Sequence, residues 1–70
     1  MPKDLFEEAL DELLNAIEEI SDLEAAEEYR LSIADKHDSM REWYEDHGAL
    51  TDAQLEAIEN MTAGARRWLH

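Results

Sequence analysis

The chain has no cysteine, one proline and two glycines among its 70 residues. Without cysteine there is no disulfide to staple a small fold and no thiolate metal site. That fits a reducing compartment such as the cytoplasm. No run approaches eighteen apolar residues, which argues against a membrane-spanning helix. The opening Met1-Pro2-Lys3-Asp4 lacks the basic-then-apolar order of an export signal. Alternating apolar and polar runs are missing as well, so no strand is expected. Basic residues are scarce. Two lysines and four arginines face nineteen acids, for a net charge of −13. Phosphate contacts need Lys and Arg, so direct binding to nucleic acid is not expected. An anionic membrane surface is disfavoured for the same reason.

What is present is helical periodicity. Seventy residues make one small domain, whose core must come from helix packing or from a second chain. A homodimer is one way of completing such a core. Leu5, Phe6, Ala9, Leu10, Leu13, Leu14, Ile17 and Ile20 recur at steps of three and four, which predicts an amphipathic helix over residues 4–20. Asp4 with Glu7 three residues on is a capping start. Ser21 with Glu24 is a second Ser-x-x-Glu pattern, and predicts that the next helix begins there. A kinked continuous helix is the alternative, because the join contains neither Gly nor Pro.

The second helix is expected over residues 22–47, carrying Leu23, Ala26, Tyr29, Ile33, Met40, Trp43 and Tyr44, with Gly48 as its C-terminal cap. Arg30 and His37 interrupt its apolar stripe. Ser39 with Glu42 allows a break near 38–39, although nothing there enforces one. Thr51 with Gln54 predicts a capping box, Leu50 and Leu55 a hydrophobic staple, and residues 52–69 a third helix. Gly64 would let a neighbouring helix approach closely. The expected fold is all-α, a small three-helix bundle.

Catalysis needs a constellation, and none is legible. Asp35-x-His37 and Glu45-x-His47 place ligand types two apart, poor geometry for one helix face. No cofactor, no metal site and no enzyme activity is expected. The charge is more informative. Residues 1–28 hold eleven acids and only Lys3, whereas residues 29–70 hold eight acids and five bases. Were residues 1–28 one helix, they would span about 42 Å with one carboxylate per ~3.8 Å, close to the ~3.4 Å per phosphate of one DNA strand. The natural partner is the basic surface of a protein that itself handles nucleic acid. Its contacts would be Glu7, Glu8, Asp11, Glu12, Glu18, Glu19, Glu24, Glu27 and Glu28. Trp43, Tyr44 and Trp68 are expected in the core, but an exposed Trp43 would be a binding anchor. The alternative is a structural or accessory protein that self-associates through its apolar stripe, with acidity serving solubility or a halophilic source.

The stretch Ser39-Met40-Arg41-Glu42-Trp43-Tyr44-Glu45-Asp46-His47-Gly48-Ala49-Leu50-Thr51-Asp52-Ala53-Gln54-Leu55-Glu56-Ala57-Ile58 resembles helical-hairpin segments of small proteins from bacteriophages and their hosts. There an aromatic-bearing helix ends in Gly, followed by Leu-Thr or Leu-Ser and a helix with Gln and Leu. The resemblance implies a helical hairpin and a phage or mobile-element origin, with action in the host cytoplasm. By analogy it implies an inhibitor of host defence of the anti-CRISPR or anti-restriction type. It carries over no catalytic residue.

Overall fold

A computed structural model of the chain describes residues 4–69; Met1, Pro2, Lys3 and His70 lie outside them. Those residues form three α-helices and no strand: α1 over Leu5–Glu19, α2 over Glu27–His47 and α3 over Asp52–Arg67, with a 3-10 turn at Glu24–Ala26. The three-helix bundle expected from the periodicity is what the chain builds. No helix among the described residues is long and apolar enough to cross a membrane.

α1 starts as its sequence dictates. The Asp4 carboxylate accepts from the Glu7 backbone N–H at 2.8 Å, and Glu7 and Glu8 place negative charge in the first turn. Ala9, Leu10, Leu13, Ala16, Ile17 and Ile20 then form an unbroken buried stripe. Leu5 and Leu14, expected on that stripe, are exposed instead. Each points roughly 80–100° away from the stripe's centre at 100° per residue, too far to reach a neighbouring helix.

The joint between α1 and α2 departs from expectation. Ser21 does not cap α2; its hydroxyl donates to the Glu18 carbonyl at 2.7 Å and closes the end of α1. The chain turns through Ile20–Asp22, makes the 3-10 turn and enters α2 only at Glu27. Neither Leu23 nor Ala26, the residues at the N-cap positions of the turn and of α2, makes a side-chain cap. Glu27 and Glu28 in the first turn of α2 suit the helix dipole in place of a cap.

α2 is the longest and least well packed helix. It runs through Asp38 and Ser39 without a break, since no Gly or Pro interrupts its backbone ladder. Only Ile33 and His37 are buried along its 21 residues. It stops at Gly48, whose φ of 75° is the left-handed conformation that closes helices, with its N–H on the Tyr44 carbonyl at 2.7 Å. The turn buries Leu50, and Thr51 and Gln54 form the reciprocal capping box, with distances of 3.1 and 2.9 Å. Leu55, the staple partner, packs against the same core as Leu50.

α1 lies at the centre of the bundle. It packs most extensively on α3, less on α2, and α2 and α3 meet least. One close approach joins α2 to α3. The Tyr29 hydroxyl donates to the Met61 carbonyl at 3.4 Å, and a Cβ on Gly64 would overlap that hydroxyl. Gly64→Ala would raise helix propensity by up to about 1 kcal/mol. The overlap outweighs that gain, so the substitution is expected to destabilise by about 1–2 kcal/mol. In a Tyr29→Phe background the hydroxyl is gone and the same substitution becomes neutral or stabilising. Urea denaturation of the four proteins in the cycle measures the coupling. Additive effects would mean that the two residues do not meet.

Candidate functional site

The acidic residues singled out by the sequence fall on two adjoining surfaces. On α1, Glu7, Asp11 and Glu18 form one row, and Glu8, Glu12 and Glu19 a second, both outside the buried stripe. Residues 7–19 span about 18 Å, so six carboxylates lie at about one per 3 Å along the axis. The charge is not the 42 Å rod that a continuous helix over 1–28 would make. The chain turns after Glu19, and the longest dimension of the bundle is 35 Å.

The second surface lies past the turn. Glu24, Glu27 and Glu28 rim a shallow open hollow whose other lining residues are Ala25 and Leu31. Leu31 is 54% exposed, on the far side of α2 from the core. Sequence reasoning passed over it because it lies off the apolar stripe. The available signal was its position, three and four residues after Glu28 and Glu27, which puts an apolar side chain beside two carboxylates on one helix surface.

The nine acids are not equivalent. Glu8, Glu12, Glu18, Glu19, Glu24, Glu27 and Glu28 are exposed and form no ion pair among the described residues. Glu7 and Asp11 are half-buried at the edge of α1 that meets α2. Asp11 lies 3.6 Å from the Arg41 guanidinium, which also reaches Glu45 at 3.6 Å. Both pairs are partly solvated and contribute little, about 0–1 kcal/mol each. Their consequence is that Asp11 is engaged within the fold.

A neighbouring contact fixes the same seam. The Tyr44 hydroxyl donates to the Asp4 carboxylate, and the Tyr44 ring leans on Phe6 with centroids 6.3 Å apart. This bond, and secondly the one from the Glu7 backbone, hold the Asp4 carboxyl below its ordinary range. The Tyr44 phenol is pushed up to about 12, first by the Asp4 bond, then by desolvation and the charges of Asp4 and Glu7, with Arg41 opposing. A lowered carboxyl favours the folded state above its unfolded value of about 3.9, and the benefit is lost as pH falls through the folded value. A raised phenol favours it below about 10, and the benefit is lost as pH rises toward about 12. The contact therefore holds the seam between about pH 4 and pH 10. Tyr44→Phe is expected to raise the Asp4 carboxyl toward its ordinary range, with the Glu7 backbone bond still holding it down, and to abolish the late tyrosinate absorbance at alkaline pH. An unchanged Asp4 carbon chemical-shift titration in that variant would remove the assignment.

The aromatic expectation needs correction. Trp43 and Trp68 are not core residues; each is 41% exposed. Of Trp43, Tyr44 and Trp68, Tyr44 alone is partly buried against the core. Trp43 sits about 90° off the centre of the inward stripe of α2 set by Ile33, His37 and Met40. Its ring stacks on His47 at 3.9 Å and 10°, and the His47 Nδ1 lies 3.0 Å from the Trp43 carbonyl. Trp68 follows α3 and tilts against Tyr29, with centroids 6.3 Å apart. Residues 29, 36, 40, 43 and 47 share one edge of α2, the edge that meets α3 through Tyr29, whereas Arg41 marks the edge that meets α1. Trp43 is therefore not brought to the α1 acids.

The other ionisable candidates are tied down or dispersed. His37 is buried, with Nδ1 3.3 Å from Asp38 and no partner for Nε2 among the described residues. Arg30, half-buried one turn earlier, has an unpartnered Nε. These two inward polar residues explain why α2 packs weakly, since each buried orphan costs about 1–3 kcal/mol. Among the described residues no group of three or more His, Asp or Glu side chains is arranged to hold a metal ion. Comparison of the chain with protein-family models, with curated proteins and with solved structures finds no match, so the functional reading rests on its own residues.

Proposed function

We propose that the protein is a non-catalytic docking module whose acidic face engages a basic groove on a protein that handles nucleic acid. The observation that carries this reading is the state of seven carboxylates, Glu8, Glu12, Glu18, Glu19, Glu24, Glu27 and Glu28. They are exposed, adjoining, and free of ion pairs among the described residues. Carboxylates concentrated this way repel one another, and a cationic partner relieves that repulsion on binding. The axial density along α1, about one carboxylate per 3 Å, is of the order of the ~3.4 Å phosphate spacing of a single strand. The module would thus present to a phosphate-binding groove the charge that the groove was built to hold. An inhibitor of a defence nuclease, as the phage resemblance suggests, is the most specific form of this reading.

Self-association through the apolar stripe of α1 is less well supported. Leu10 and Leu13 are fully buried and Ile17 is 7% exposed within a single chain, because α2 and α3 already cover them. The large apolar side chains left exposed, Leu5, Leu14, Leu31, Trp43, Trp68 and Leu69, are distributed from α1 to the residues after α3. The test is capture of partners by the immobilised chain, with elution by salt and by heparin, a soluble polyanion. Partners released by either and lost on reversing Glu8, Glu12 and Glu19 support the reading. A partner set indifferent to all three treatments rejects it.

A further inference from the structure

The second row of α1 acids leads into a cleft between α1 and α3. Its floor is buried, made of Ala9, Ile58 and Thr62. The Thr62 hydroxyl donates to the Ile58 carbonyl at 2.8 Å, so it is not free to donate to a ligand. The rim carries two exposed carboxylates from different helices, Glu12 and Glu59, with Arg66 beside them. None of the three is ion-paired among the described residues. The cleft measures ≈ 180 Å³. Small-molecule and cofactor sites run to about 300–1,000 Å³, so this one has room for a single side chain.

We infer that this cleft receives one arginine side chain from the basic partner. The inference rests on the docking function proposed above and names its specific contact. An arginine has an apolar stem that can lie on Ala9 and Ala63, and a planar head with several donors suited to two carboxylates. A lysine offers a point charge that is more strongly hydrated and suits a split pair less well. Glu12 belongs both to the exposed α1 row and to the cleft, so charge that steers the partner to α1 ends at a shaped socket. Arg66 opposes the occupant and sets a limit on affinity. Arg67, next in sequence, carries the same charge and does not line the cleft.

The experiment titrates a capped tetra-arginine peptide into the isotopically labelled chain at low salt and follows amide shifts. Shift changes are expected at Ala9, Glu59 and Ala63. Glu59→Gln is expected to weaken binding about tenfold. Glu56→Gln, an exposed acid of the same helix outside the cleft, should change it less than about twofold. Arg66→Ala should strengthen binding by several-fold and Arg67→Ala by much less. Equal effects within each matched pair overturn the socket but leave the acidic face standing, because both members change the net charge alike. A tetra-lysine peptide that binds as tightly as the arginine peptide also overturns it. The wider reading fails separately, if peptide binding is unaffected by Glu8→Lys with Glu19→Lys, neither of which lines the cleft.

Discussion

Leu13→Ala is expected to leave the chain largely unfolded near 37 °C. Leu13 is fully buried, and the four residues one helical turn away, Ala9, Leu10, Ala16 and Ile17, are all buried too. It therefore sits at the middle of the stripe on which both other helices pack. Truncating such a leucine costs about 3–5 kcal/mol, the lost transfer free energy plus the cavity left behind. A domain of this size has roughly 4–10 kcal/mol to lose. No disulfide or metal ligated by cysteine compensates, and the −13 charge repels itself in the compact state. Thermal unfolding followed by circular dichroism should show a melting temperature lower by about 15–25 °C. Leu14→Ala is the matched control. That residue is 37% exposed, and its truncation should cost no more than about 1 kcal/mol. Similar melting temperatures for the two variants would mean that α1 does not pack by this face.

Much of this core was legible in the sequence, and the reason differs by element. α1 and α3 declare themselves through strong apolar periodicity and through caps with a fixed chemical grammar, Asp4 with Glu7 and Thr51 with Gln54. Gly48 was legible because a helix end in the left-handed region favours the residue without a Cβ. Gly64 signalled a close approach, though not that Tyr29 would supply it. The α1–α2 joint misled. A Ser-x-x-Glu pattern can cap the helix that follows, but Ser21 can equally reach back to a free carbonyl of the helix before. Local sequence does not decide between them; the path that lets α2 pack on α1 does.

The candidate site was legible in composition and not in geometry. Acid-rich residues 1–28 are evident from counting, yet counting cannot separate Asp11, held near Arg41, from Glu8 and Glu12, which are exposed and form no ion pair among the described residues. Nor could it show that α1 ends before Ser21 and folds the charge around a corner. Trp43 reads as core because it continues the apolar pattern of α2 and can share a broad face with Tyr44. Its angle of about 90° from the centre of the inward stripe of α2 was the available signal, and the weak periodicity of a helix carrying Arg30 and His37 obscured it. Glu59 went unnoticed because its partner in the cleft, Glu12, lies on another helix far away in sequence.

Reversing Glu8, Glu12 and Glu19 together to lysine is expected to abolish partner binding without unfolding the chain. The structure dictates this choice of residues. Asp11 would be a poor member of the set, because a lysine there would face Arg41 and confound binding with stability. Glu8, Glu12 and Glu19 are exposed, share one row and form no ion pair among the described residues. Their effects on the helix nearly cancel. Lysine in the first turn at position 8 opposes the dipole by about 0.3–1 kcal/mol, and lysine in the last turn at position 19 favours it by a similar amount. Each exchange adds two charges, moving the net charge from −13 to about −7. Removing three attractions and installing three repulsions should weaken binding by about 100-fold or more at low salt, at roughly 1 kcal/mol or more per reversed charge. The deficit should shrink as salt rises, because the Debye length falls from about 10 Å at 0.1 M to about 3 Å at 1 M. Binding measured across that range, with the helical signal as a check on folding, separates electrostatic docking from apolar contact. Should the triple variant bind normally while Trp43→Ala does not, the working surface is the α2 edge carrying the stacked Trp43 and His47. The acid-rich row of α1 would then serve solubility alone.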